Sequence, residues 1–108
     1  MGRRARFAIV YAPEVGPHVA AIEAKYRGPI RKTILEQLSF APGDATRNRK
    51  PLEDQPGPFG ATWELRGGPQ NQFRVFYEFS LDTHEVRVLA IGVKDRDRLF
   101  IAGKEFKP

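Results

Sequence analysis

The chain contains no cysteine. That absence excludes disulfide staples, thiolate zinc sites and thiol nucleophiles together. Imidazoles and serine hydroxyls are nearly as scarce: His18 and His84 are the only histidines, Ser39 and Ser80 the only serines. A Ser-His-Asp hydrolase is hard to assemble from so few parts. Neither histidine has a partner spacing that suggests a metal site, so neither metal nor cofactor is expected. Long apolar runs are missing too. The longest, Phe7 to Ala12, falls far short of the roughly 20 residues that cross a bilayer. Arg3, Arg4 and Arg6 precede it as the basic flank of a signal peptide would, but Pro13 and Glu14 end the run too early for one.

What remains is a chain of 108 residues, a size that suits one domain over 1–108. Hydrophobic residues make up 41%, enough for a core and too many for a disordered tail. Eighteen Lys and Arg against thirteen Asp and Glu give a net charge of +5, which favours anionic partners. The expected setting is the cytoplasm, with no membrane association.

Arg6 to Tyr11, rich in β-branched and aromatic residues, reads as a first strand ending at Pro13. Val15, Val19, Ile22 and Tyr26 recur at helical spacing, with Pro17 suited to a first helical turn. Gly28 and Pro29 are expected to end this helix and begin a second one. The second carries Ile30, Ile34, Leu35 and Leu38 as its apolar stripe, and the pair forms a helical hairpin. Prolines and glycines crowd residues 41–61, which reads as a long loop without regular structure. Leu52 and Phe59 are its expected anchors.

The second half reads as a β-meander. Strands are expected over Thr62–Arg66, Gln72–Phe79 and Glu85–Val93, with turns at 67–71 and 81–84. Lys94 to Ile101 is so charged that either a helical turn or a tail fits. The order β-α-α-β-β-β predicts an α+β fold, with the helical hairpin packed on one face of a mainly antiparallel twisted sheet. Strand alternation then turns Trp63, Leu65, Phe73, Val75 and Tyr77 toward the helices. Thr62, Glu64, Arg66, Arg74, Phe76 and Glu78 go to the other, open face. A concave cationic surface is expected there, partly closed by the basic loop.

In this order and spacing, Thr46-Arg-Asn-Arg-Lys-Pro-Leu52, Trp63-Glu-Leu-Arg66, Phe73-Arg-Val-Phe-Tyr77, Val88-Leu-Ala-Ile-Gly-Val-Lys94 and Arg98-Leu-Phe100 resemble the RelE/ParE superfamily of bacterial type II toxin–antitoxin toxins. The resemblance runs from the first strand to Phe106 and implies a single RelE/ParE-like toxin domain neutralised by a cognate antitoxin protein. RelE-like members cleave mRNA in the ribosomal A site, which makes ribosome and mRNA the expected partners and a metal-independent endoribonuclease (an mRNA interferase) the expected activity. ParE-like members inhibit DNA gyrase instead. A catalytically silent antitoxin-binding or RNA-binding module is the third reading.

Carried over residue by residue, the resemblance makes Arg74 the contact to the scissile phosphate. Lys94 and Arg96 become the basic pair after the last strand, and Lys50 the catalytic or substrate-holding loop residue. The pattern departs at Thr62 and Glu64, where lysines are expected, and at Phe100, where a tyrosine is. Glu64 is a candidate general base, or a carboxylate paired with Arg66 or Arg74. Arg47 and Arg49, with Lys50, could follow an RNA backbone from the loop. Arg66, Arg96 and Arg98 are further RNA contacts, although Asp95 and Asp97 offset part of the last cluster. Phe76 on the open face could stack on a base, whereas Trp63 and Tyr77 belong in the core. His18 and His84 are expected at the surface.

Overall fold

Alternation of apolar side chains builds a seven-stranded sheet, and two helices cover one of its faces. The computed structural model describes residues 5–107, so Arg3 and Arg4 lie outside the described residues. In chain order the elements are β1 (Ala8–Tyr11), α1 (Val15–Ala20), α2 (Ala24–Leu38), β2 (Arg49–Pro51), β3 (Trp63–Gly67), β4 (Phe73–Ser80), β5 (Glu85–Asp95), β6 (Arg98–Ile101) and β7 (Lys104–Phe106). The sheet runs β2-β3-β4-β5-β6-β7 with antiparallel neighbours. β1 alone is parallel, alongside Glu85–Val88 of β5. The fold is thus α+β with a mainly antiparallel sheet, as the sequence predicts.

β5 organises the sheet. β4 covers one of its edges, while β1 and β6 share the other, pairing with 85–88 and 92–95 respectively. Between those two partners a bulge falls at Leu89: Phe76 faces Ala90, Tyr77 faces Val88, and Leu89 has no opposite number. The gap in lateral pairing is filled by a side chain. His18 Nδ1 accepts the Ile91 N–H at 3.3 Å, and its ring leans on Phe59. His18 is therefore 4% exposed, not a surface residue, because a backbone donor in the gap needs an acceptor. His84 is likewise half-buried, stacked on Phe7 at 3.9 Å.

Burial pushes His18 below its ordinary value, opposed by Glu14. The folded state thus binds fewer protons than the unfolded chain at mildly acidic pH. Stability is expected to fall as pH drops below about 6.5, the ordinary histidine value, and on through the depressed folded value. Denaturation midpoints at pH 7.5 and 5.5 check this, and His18→Gln, which keeps an acceptor but no titration, is expected to flatten the slope.

The helix boundary differs from the sequence expectation. α1 stops at Ala20, and α2 runs through Gly28 and Pro29. Arg27 makes the early break possible. Its guanidinium donates to the carbonyls of Val19, Ala20 and Ile22 at 2.9–3.1 Å, satisfying the frayed end of α1. Pro29 costs α2 one hydrogen bond, about 3 kcal/mol in a helix interior. Buried Ile30, Ile34 and Leu38 outweigh it at ~1.5–3 kcal/mol each. Leu35, expected in the stripe, is exposed.

Under the helices, Val15, Ile34 and Leu38 pack against Leu65, Phe73, Val75, Tyr77, Val86 and Val88. The Tyr77 hydroxyl donates to the Pro42 carbonyl at 2.7 Å, tying down the start of the long loop. The opposite face is less open than expected. The charged tail is a β-hairpin, β6–β7, and the loop contributes the short strand β2. Hairpin and loop fold over a second apolar cluster of Ala61, Phe76, Ala90 and Ile101, with Leu52, Leu99 and Phe106 against it. Gly92 permits this closure, since a Cβ there would stand 2.9 Å from Leu99 Cδ1 and from the Phe100 carbonyl.

Candidate functional site

Three strands bring one carboxylate and three cations together on the face away from the helices. In register, Lys50 of β2 lies opposite Glu64 of β3, and Arg66 of β3 lies opposite Arg74 of β4. Glu64, only 7% exposed, sits at the centre. Its Oε2 is 3.4 Å from Arg74 Nη1, and its Oε1 is 3.5 Å from Arg66 Nε and 3.8 Å from Lys50 Nζ. Burying a carboxylate this deeply without such partners would be costly. Arg74 is aimed by a second bond, Nε donating to the Asn71 carbonyl at 3.1 Å. Lys50 is the most exposed of the three cations.

The distances fit loose ion pairs rather than a closed bidentate clamp. One carboxylate balances three cations, so net positive charge remains beside it, and Lys50 and Arg66 still reach solvent. The arrangement can hold a phosphate diester on its arginines while presenting a carboxylate oxygen to a nearby hydroxyl. From Glu64 a groove runs past Phe76 to Lys94, Arg98 and Lys107, walled by Leu52–Pro58 and the β6–β7 hairpin. Among the described residues no cluster of His, Asp and Glu could hold a metal ion, and no helix is long and apolar enough to cross a membrane.

The remaining candidates separate by position. Lys94 is on the same face as the cluster and lines the groove with Arg98. Arg47 and Arg96 are exposed, Arg96 in the β5–β6 turn at φ 57°. Two residues require correction. Phe76 is 3% exposed beneath the hairpin, so its ring is covered and cannot serve as a free stacking surface. Arg49 points to the helix side, because its register partner Leu65 does. It donates to the Asp44 and Gln37 carbonyls and to Gln37 Oε1 at 2.7–3.0 Å. Arg49→Ala is expected to destabilise the protein by about 1–2 kcal/mol, read as a lower denaturation midpoint.

Phe100 likewise lies on the helix side, in a cleft with His18, Ile22 and Val93, so a tyrosine hydroxyl at that position would not face the groove. The loop wall of the groove was expected from the sequence, but the hairpin wall was not. Its signals were Gly92 and the Ala102-Gly103 turn, where both residues have positive φ as a tight hairpin requires.

The α+β fold, with two helices on one face of a mainly antiparallel sheet, is RelE-like. Among the solved structures it resembles is a chain of the toxin–antitoxin complex RelBE2 from Mycobacterium tuberculosis. The two share 15% sequence identity at a TM-score of 0.68, over 87% of this chain and 98% of that one. No protein-family model matches the sequence, and no curated protein matches it.

Proposed function

We propose that this protein is the toxin of a type II toxin–antitoxin pair and a ribosome-dependent mRNA endoribonuclease that blocks translation without a metal ion. The observation that carries the reading is the Glu64 carboxylate gathered with Lys50, Arg66 and Arg74 at the head of a groove. In the proposed reaction the ribose 2′-hydroxyl attacks the adjacent phosphorus and gives its proton to Glu64. Arg74 and Arg66 stabilise the charge that builds on the pentacoordinate phosphorus. The P–O5′ bond breaks, a proton passes to the leaving 5′-oxygen, and a 2′,3′-cyclic phosphate remains. Lys50 and Lys94 are the ammonium groups placed to supply that proton or to hold the flanking phosphates, with Arg47, Arg96 and Arg98 further out. The cognate antitoxin is expected to oppose the net charge of +5 with acidic residues.

Translation in vitro with purified protein, followed by primer extension on the mRNA, tests this. Cleavage at A-site codons that disappears when ribosomes are omitted supports the reading. Intact mRNA and unimpaired translation overturn it and make gyrase inhibition the next assay.

A further inference from the structure

The groove beside the cationic cluster has a second chemistry that phosphate contact does not use. Its floor and sides are apolar where Phe76, Leu52, Leu99 and Phe106 meet, while its rim carries Lys94 and Arg98. The groove is open along one side and holds about 400 Å³, within the ~300–1,000 Å³ range of small-molecule sites. Both walls are built rather than loose. On one side the Leu52 N–H donates to the Thr62 carbonyl at 2.8 Å and the Gly57 N–H to the Ala61 carbonyl at 3.0 Å. Gly57 leaves no room for a Cβ, which would stand 2.6 Å from Leu52 Cδ1. On the other side β6 is paired with both β5 and β7.

We propose that this groove is a nucleobase slot, which takes the base of a nucleotide whose phosphate lies on the Glu64 cluster; the proposal rests on the RNA reading above. A base is flat, apolar on its faces and polar at its edge. The slot offers aliphatic and aromatic side chains for the faces, and Asp97 as an acceptor at the rim for edge N–H groups. The leftover positive charge at one end matches the phosphate that a free base would lack. Leu52, Leu99 and Phe106 are therefore substrate-contacting residues, and Phe76 supports them from below.

Fluorescence anisotropy with two short single-stranded RNAs of equal length tests the slot, one intact and one with abasic ribose at every position. Charge is the same in both, so a purely electrostatic surface binds them alike. The slot predicts at least about fivefold tighter binding of the intact RNA, the lower end of one stacked base. Leu52→Ala with Phe106→Ala is expected to abolish that preference while leaving the abasic affinity unchanged. Should the double variant fail to fold, the wild-type protein serves: a nucleoside monophosphate is expected to shift the Leu52 and Leu99 methyl NMR signals, and ribose 5-phosphate is not. Equal affinity for both RNAs overturns the slot and leaves the RNA reading standing. Binding of neither RNA, together with intact mRNA in translation, overturns both.

Discussion

Cells expressing Arg74→Ala are expected to grow where cells expressing the wild-type protein arrest, and mRNA cleavage is expected to fall roughly 100- to 1,000-fold, the cost of one lost transition-state donor. Arg74 is nearly enclosed, and two bonds to Asn71 and Glu64 fix its guanidinium before any ligand arrives. Such preorganisation lets one arginine count for more than an exposed cation does. Its loss does not orphan Glu64, which keeps Lys50 and Arg66, so the variant is expected to fold. Arg74→Lys keeps the charge without the fork and is expected to recover only part of the activity. Full toxicity of the alanine variant, with wild-type cleavage, would show that the phosphate lies elsewhere.

Glu64→Gln is the second large effect. Glutamine keeps the size of the side chain and accepts hydrogen bonds from Arg66 and Arg74, but it takes no proton from a 2′-hydroxyl. If Glu64 is the base, cleavage falls roughly 100- to 10,000-fold, while RNA affinity stays level or rises because an anion beside the phosphate has gone. Measuring affinity and single-turnover cleavage on the same preparation separates the two effects. A variant that cleaves like the wild type would reduce Glu64 to a spacer that holds three cations apart. Stability is expected to fall by about 1–3 kcal/mol, because the nearly enclosed Arg74 loses its anionic partner and keeps only a neutral acceptor, whereas Lys50 and Arg66 reach solvent.

The strands of the meander and the inward set Leu65, Phe73, Val75 and Tyr77 were legible because a period of two is a local signal. So was the pairing of Arg66 with Arg74 across one turn, and their common face with Glu64. Three features were not legible, each for a non-local reason. The helix break is decided by Arg27 reaching back to α1, and no propensity records that contact. His18 is buried because two strands leave a gap on β5, a consequence of sheet order. Phe76 was assigned to an open face because alternating charge hid the β6–β7 hairpin: Lys94 to Arg98 reads as solvent-exposed, and the turn at Ala102-Gly103 lacks the usual Asn or Asp. The same oversight concealed the groove, whose second wall is that hairpin.

The sharing of β5 between β1 and β6 also has a consequence in time. Ala8 pairs with Glu85 and Tyr11 with Val88, so β1 leaves the ribosome well before the strand it pairs with. At ~5–20 residues per second of synthesis that delay is about 4–15 s. The β2, β3 and β4 segments that carry Lys50, Glu64, Arg66 and Arg74 emerge within it, yet the strand that joins both halves of the sheet does not. A pairing so distant in sequence also slows folding after release. The groove beside the Glu64 cluster is thus assembled only after β5 and the β6–β7 hairpin have emerged, and a product truncated before Glu85 has neither the second edge of the sheet nor the hairpin that walls the groove.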